Sequence, residues 1–505
     1  MLRKSNAQGA CHPALRRRLC NQGRNSPEKD LQLQAGGIGP CNRSLGTLTP
    51  EVPLVSDITL PRFPPPSAGR EVLPAREYAA LMRQNVLAAF SERAFTEEVL
   101  ERRLFGRVQL TLNRPAAIRH VLIDNAENYA RTSATRRLLY PIAGRGLLLA
   151  EGEEWRVQRR TVAPSFAPRT VPLVAHHVAA VADELAADLA AEPGEVDLLE
   201  HMHRLAIETA GRAMFSLPMA KFAPRMRAML HDYGERLAQP SPFEILLPAW
   251  IPTPGDVARW RFRRRWLGLI GEIIDARQAK GAAGFGRDLL DLMASDPETG
   301  KPVSRRKLVD QVATMIAAGH ATTAVALFWA FYLLAETPAV QERIAAEAGP
   351  LDLAPEGAAE ALPHLVYTRA VVQEALRLYP PAYGIFRLAR RADEAGGVAV
   401  PKGAIVMIAP WLLHRHKTLW TEPDAFDPGR FLPGAPPPDR FAYLPFGMGP
   451  RVCVGAQFAL TEAVLVLARL VRQFVISRAD NRPVVPVAAI TVRPDHPPPF
   501  RLRPR

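Results

Sequence analysis

Residues 446–455 read Phe446-Gly447-Met448-Gly449-Pro450-Arg451-Val452-Cys453-Val454-Gly455. The glycines permit positive φ and close backbone approach to something flat or bulky. The stretch reaches its cysteine just before a helical pattern at 456–474, where terminal amides and the helix dipole are expected to lower the thiol pKa. Arg451 adds positive charge two residues away. A thiolate held in such a place is either a nucleophile or a metal ligand.

The nucleophile needs a positioned base, and no Cys/His pattern argues for one. A haem needs an aromatic shield, a glycine-rich loop and cations for its propionates, and Phe446, the glycines and Arg451 meet all three needs. At every defined position the stretch matches FxxGxRxCxG, the haem-binding pattern of the cytochrome P-450 superfamily. The chain resembles that family over roughly residues 60–500. The resemblance implies haem b (iron protoporphyrin IX), with Cys453 as the axial ligand of its iron.

Other segments agree in order and spacing. Glu374 and Arg377, in EALRLYPP, lie on one helix face and can pair. Alone they would be a common surface pair worth little. The resemblance implies instead a buried structural network with Arg430 of the Phe426–Phe431 stretch. Trp155 and Arg159, in EEWRVQRR, match the family's WxxxR over a haem propionate. Arg387, after the Pro380–Pro381 turn, stands where the family often places another propionate-binding arginine, and Arg451 completes the set. Buried propionates require paired cations.

The family's central helix carries an Ala/Gly-Gly-x-acid-Thr stretch facing the iron. This chain has Ala318-Gly319-His320-Ala321-Thr322-Thr323. The resemblance implies that Gly319 opens space for dioxygen and that Thr322 offers it a hydrogen bond. Back-bonding of Thr322 to its own helix is the plainer alternative. Ala321 stands where the family places a proton-relaying acid, a general-acid task. His320 points about 100° round the helix from there and reads as a packed core histidine. Protons are then left to water or to a group on the substrate.

The pattern around these motifs is mainly α with a small β-rich region. Amphipathic spacing begins after Pro74, and long helical patterns follow at 171–192, 199–215, 256–279, 305–335 and 365–379. A helix is expected over 116–128 and at Asp288, a strand over 107–111, and short strands over 385–408. The resemblance implies one triangular haem domain over 61–505, with haem between the central helix and the cysteine loop. Residues 1–60 read as a disordered basic, proline-rich tail.

Net charge is +14, and residues 1–50 hold eight Lys/Arg against two acids. No nucleic-acid motif accompanies this charge, so an acidic protein partner suits it better, beside the plain reading of diffuse solvated charge. Of four cysteines, Cys11, Cys20 and Cys41 lie in the tail, and no CxxC occurs. Neither a disulfide framework nor a zinc site is indicated, and a reducing, cytoplasmic setting follows. Residues 1–27 resemble a transit peptide in composition, which would make the protein organellar. No membrane anchor is expected: the apolar stretch from Met315 to Ala335 is interrupted by polar residues and reads as a buried core helix.

The implied function is a haem-thiolate monooxygenase of soluble bacterial type that inserts one atom of dioxygen into a hydrophobic small-molecule substrate. The length is taken to leave no room for a fused reductase. Electrons are expected from a ferredoxin, a flavodoxin or a separate flavoprotein reductase. Residues 382–386, 131–149 and 213–250 are expected to line the pocket, for a fatty acid, terpenoid or steroid. The wording of EALRLYPP and FALTEA leans weakly toward fatty-acid-type members. Ala321 keeps a peroxygenase or a non-redox rearrangement catalyst in view. A haem-based sensor without turnover fits less well with Gly319 and Thr322.

Overall fold

The computed structural model describes residues 60–505, apart from 67–68, 70–72, 105, 193, 239–246, 248–249, 282–287 and 297–298. The expectations for the tail therefore lie outside the described residues. Eleven helices of ten or more residues are found among the described ones: α1 Ala75–Gln84, α2 Ser133–Ala143, α3 Gly152–Val162, α4 Val171–Ala191, α5 Leu198–Phe215, α6 Ala223–Asp232, α7 Pro254–Ala279, α8 Arg305–Ala335, α9 Pro338–Ala348, α10 Val366–Leu378 and α11 Ala456–Gln473.

Local chemistry accounts for several boundaries. Asp197 caps α5 by accepting from the Glu200 N–H, and Thr253 with Asp256 forms a capping box ahead of α7. Asp288 and Asp291 do the same for the short helix Leu289–Met293, the helix expected at Asp288. The Pro380–Pro381 pair follows directly on the end of α10 and forbids its continuation.

Beyond its exposed first turn, residues 305–307, helix α8 is apolar nearly all round, the pattern of a helix buried in a core. It packs against α2, α5, α7, α10 and α11 and forms the centre of the core. Leu327, Phe328, Trp329, Phe331, Leu333 and Leu334 on it are fully buried. Trp329 stacks flat on Tyr379 at 4.0 Å and donates its indole N–H to the Val492 carbonyl. Among the described residues α8 alone is long and apolar enough to cross a membrane, but 67% of its apolar window is buried inside the protein. Such burial is that of a core helix.

The principal sheet has five strands: β1 Val99–Leu104, β2 Arg107–Leu112, β3 Tyr129–Ala130, β4 Ile385–Ala389 and β5 Ile405–Ile408, in the order β1-β2-β5-β4-β3. Only β2 and β5 pair in parallel. Here β3 lies antiparallel to β4, with Ala130 opposite Leu388, which joins two segments far apart in sequence. One expectation fails: 116–128 is not one helix. An α-turn at Pro115–Arg119 widens into a π-turn at His120–Asp124, and Ala126–Asn128 is 3₁₀. β-branched Val121 and Ile123 fit a helix poorly. Asn125, Asn128 and Tyr129 are drawn off to donate to the Asp393 carboxylate.

Candidate functional site

The cysteine loop is held by its own backbone. The Cys453 N–H donates to the Phe446 carbonyl at 2.9 Å, and the Val452 N–H to that of Gly449 at 3.0 Å. Gly447 and Gly449 hold φ of +71° and +76°. At Gly449 a Cβ would lie 2.1 Å from the Leu122 carbonyl oxygen, so only glycine fits. At this glycine the close approach expected from the sequence is made by the protein's own backbone.

Cys453 is deeply surrounded by protein yet keeps accessible surface, as a residue lining an internal cleft does. The expected lowering of its thiol pKa is corrected: burial pushes the thiol up. The Gly455 N–H and the Arg159 charge pull the other way and do not overcome it. A thiolate here needs a further positive charge, which a metal ion supplies.

Around the loop stands a group of guanidiniums. Arg159 donates to the Val452 carbonyl at 2.7 Å. Arg451 donates to the Ala150 carbonyl at 2.7 Å and lies 4.4 Å above the Trp155 ring. Trp155 thus acts on Arg451 by a cation–π contact. Arg387 turns its side chain to the Phe386 carbonyl. Sequence reasoning missed a fourth member, Arg131. It directly follows β3, whose pairing with β4 carries it toward Arg387, a proximity no local motif signals.

Burial, then repulsion from Arg451 and Arg387, pushes the Arg131 pKa down to about 9. Burial and Arg451 push Arg387 down to about 10. The nearest carboxylate is already engaged: Glu151 takes Arg136 at 2.9 Å and Arg390 at 3.1 Å. Like charges crowded at cost in a half-buried place fit a dianion, and with a deep thiol beside them the donor set fits a haem and its two propionates.

Behind the loop, Glu374 and Arg377 form a two-pronged pair at 2.7 and 2.8 Å, both fully buried. Arg377 also donates to the carbonyls of His414, Pro423 and Ala425. Arg430 lies 3.5 Å from the Glu374 carboxylate, and the Asp427 N–H donates to it at 2.8 Å. His414, which the sequence reading did not single out, connects this network to the loop. Its Nε2 accepts from the Leu444 N–H at 2.8 Å, which leaves Nδ1–H to donate to the Arg377 carbonyl.

In the middle of α8 the burial breaks. Ala318 is exposed, and Ala317, Gly319, Ala321 and Thr322 are partly so, between the buried stretches 308–316 and 323–325. A Cβ on Gly319 would meet only the Met214 methyl, at 3.8 Å. The Thr322 hydroxyl donates to the Ala318 carbonyl at 2.6 Å, the back-bond weighed from the sequence, and its oxygen remains free to accept. Ala317, Phe386, Phe446 and Val454 all border the same hydrophobic cluster, so helix and loop share one core.

Known proteins agree with this geometry. Residues 66–496 match the family model of cytochrome P450. The chain is 36% identical over 352 residues to cyclooctat-9-en-7-ol 5-monooxygenase of Streptomyces melanosporofaciens, spanning 68% of this chain and 74% of that protein. It is 33% identical over 408 residues to cyclooctatin synthase of the same organism (79% and 87%). It is 31% identical over 372 residues to pentalenene oxygenase of Streptomyces avermitilis (72% and 80%). The crystal structure of the cytochrome P450DA heme domain superposes with a TM-score of 0.70 at 25% identity, covering 86% of this chain and 93% of that one. With its cysteine loop, its crowded arginines and its fold, the chain belongs to the cytochrome P450 family of haem-thiolate monooxygenases.

Proposed function

We propose that this enzyme inserts one atom of dioxygen into a cyclic hydrocarbon of terpenoid class, or an alcohol derived from one, using electrons from a separate ferredoxin, flavodoxin or flavoprotein. The observation that carries the reading is the opening in α8: small side chains and one hydroxyl, Ala318 to Thr322, left accessible in a buried helix. The names of three relatives point the same way, since their stated substrates or products are cyclooctat-9-en-7-ol, cyclooctatin and pentalenene. They argue for terpenoids over the fatty-acid class toward which the wording of the chain leans.

Cys453 would ligate the haem iron, and Arg131, Arg159, Arg387 and Arg451 would hold the propionates. When bound, the thiolate-ligated haem supplies dioxygen activation and the electron push that favours O–O cleavage. The chain's own residues do the rest. Trp155 braces Arg451, and the Glu374–Arg377–His414 network steadies the loop from behind. Tyr383, Ile385 and Phe386, partly exposed, offer an apolar wall to the substrate. Of the 213–250 region expected to line the pocket, residues 239–246 and 248–249 lie outside the described set.

The test is a carbon-monoxide difference spectrum, followed by a spectral-shift screen of cyclic hydrocarbons and product analysis with NAD(P)H and redox partners. A thiolate-type band, a shift with such a ligand and a hydroxylated product are expected. Cys453→Ser removes the band and reduces turnover to background; an unchanged band in that variant overturns the assignment. Ala321 favours a second reading, a peroxygenase. Product formed with peroxide but not with NAD(P)H and partners would select it.

A further inference from the structure

Of the nine tyrosines in the chain, one carries a hydroxyl that is enclosed by protein and yet has no partner among the described residues. The hydroxyls of Tyr129, Tyr233 and Tyr443 donate to the Asp393 carboxylate and to the carbonyls of Leu138 and Gln373. Tyr78, Tyr332, Tyr367 and Tyr379 have Gln109, Arg478, Arg343 and Arg415 beside theirs. Tyr140 stands at the surface. Tyr383 is the one left over.

Like Cys453, this residue combines depth with access. Burial pushes its phenol up, and the nearby Tyr78 phenol adds to this, so the group stays protonated and able to donate. Tyr383 is nevertheless partly exposed, Ala382 before it is exposed, and the phenol oxygen is not sealed from solvent. Its edge-on contact with Phe386, centroids 5.9 Å apart, needs only the ring. Phenylalanine would pack there as well, so the hydroxyl serves something other than packing.

The position of Tyr383 ties it to the cysteine loop and the arginines. It stands two residues ahead of β4, and its carbonyl accepts from the Trp411 N–H at 3.3 Å. On β4, Ile385 and Arg387 share a face. Arg387 belongs to the arginine group, and the Ile385 Cδ1 lies 3.8 Å from where Gly447 of the loop would carry a Cβ. Toward α1 the neighbour is Tyr78, which is 4% exposed and covered by Arg102 at 3.7 Å. Of the two phenols only that of Tyr383 is free to meet a ligand.

We infer that the Tyr383 hydroxyl sets substrate specificity by hydrogen-bonding an oxygen that the substrate already carries, as an alcohol or a ketone. The inference rests on the terpenoid reading above and narrows it to oxygenated members of that class. In the wall of Tyr383, Ile385 and Phe386 the phenol is the one polar side-chain group, so the orientation of a largely apolar molecule falls to it. The O–H donates to the substrate oxygen, and the phenol oxygen can accept in return from an alcohol. A site that bonds a substrate hydroxyl discriminates against the analogue that lacks it. Such a substrate is supplied by a reaction that installs the oxygen, either a cyclisation ended by water or an earlier oxidation.

The experiment titrates the haem-loaded parent and Tyr383→Phe with cedrane and cedrol, a cyclic hydrocarbon and its alcohol, reading the Soret shift. Affinity for cedrol should fall about five-fold or more in the variant and that for cedrane less than about two-fold, with an intact carbon-monoxide band. A merely structural ring would weaken both alike. A readout independent of the Soret band is ¹³C NMR of protein labelled at the tyrosine Cζ. The one signal missing from Tyr383→Phe should move in the parent on adding cedrol and stay on adding cedrane. An unchanged ratio of the two affinities, or a Tyr383 signal that cedrane moves as far as cedrol, would overturn the inference. If neither probe shifts the Soret band, the terpenoid reading fails. The Tyr383 signal, followed with cyclohexanol against methylcyclohexane, then decides the recognition, and an equal response to both overturns it.

Discussion

Between Phe446 and Gly455 the chain is pinned at almost every step. Cys453 is tied to Phe446, Arg159 to Val452, Arg451 to Ala150 and Trp155, and Gly449 is pressed against Leu122. Between Ala317 and Thr322 on α8 the opposite holds. Small side chains leave space, the one hydroxyl bonds its own helix, and a buried histidine nitrogen has no partner. The loop is built to hold a charged group in one place. The helix segment leaves open space beside its small side chains. Rigidity on one side and economy of contact on the other are what positioning and turnover each require.

The largest effect is expected on the rigid side. Glu374→Ala leaves Arg377 charged and fully buried, which costs about 3–5 kcal/mol. Denaturant midpoint and yield of haem-bound protein would report it, and a loss under about 1 kcal/mol would mean that the network does not brace the loop.

The helix side should instead declare itself through pH. His203 of α5 lies 2.9 Å from the His320 ring on α8. Burial keeps it neutral in the fold down to about pH 4, whereas unfolded it takes up a proton near its ordinary 6.5. The unfolded state therefore binds more protons in that window, and stability, complete above it, is lost as pH falls from 6.5 toward 4. His203→Gln should flatten this by on the order of 2–3 kcal/mol. Parallel acid-unfolding profiles would remove His203 as a contributor.

Gly449→Ala forces a Cβ against the Leu122 carbonyl at positive φ and should cost about 2 kcal/mol or more, with a displaced Soret band. Gly434→Ala is its control: it shares a positive φ, +91°, but has nothing within 4 Å, and should cost about 1 kcal/mol. Equal losses would show that crowding at Leu122 is irrelevant.

The smallest effect belongs to α11, which joins the two sides. Burial pushes the Glu462 carboxyl up to about 8. The folded state holds that proton where the unfolded state has released it, so this residue's contribution falls as pH rises from about 4.5 to about 8. Glu462→Gln should raise thermal stability at pH 7.5 and leave pH 4 unchanged. A destabilised variant at pH 7.5 would show that the carboxylate is solvated in the fold.

How much was legible in the sequence differs in the same way between the two regions. The cysteine loop, α10 and the WxxxR turn are local: their residues meet because they are neighbours along a loop or a helix, and spacing alone brings Glu374 to Arg377. The boundaries of α4, α5, α7, α8 and α11 could be read for the same reason, since apolar period and caps are carried by adjacent residues. The region 116–128 misled because the Asn125 and Asn128 side chains at its end donate to Asp393, more than 260 residues away.

By itself the sequence determined the cysteine loop, the helices and the absence of an acid at Ala321, all properties of contiguous residues. Only the tertiary structure decided that Arg131 joins Arg387 through paired strands, and that His414 ties the buried Arg377 to the loop. It alone set His203 against His320 across two helices 117 residues apart in the chain. Charges and rings that meet in this way are recruited by packing, and burial then sets their protonation. Even the sign of the Cys453 pKa shift came from burial outweighing the helix and charge that the local sequence advertises.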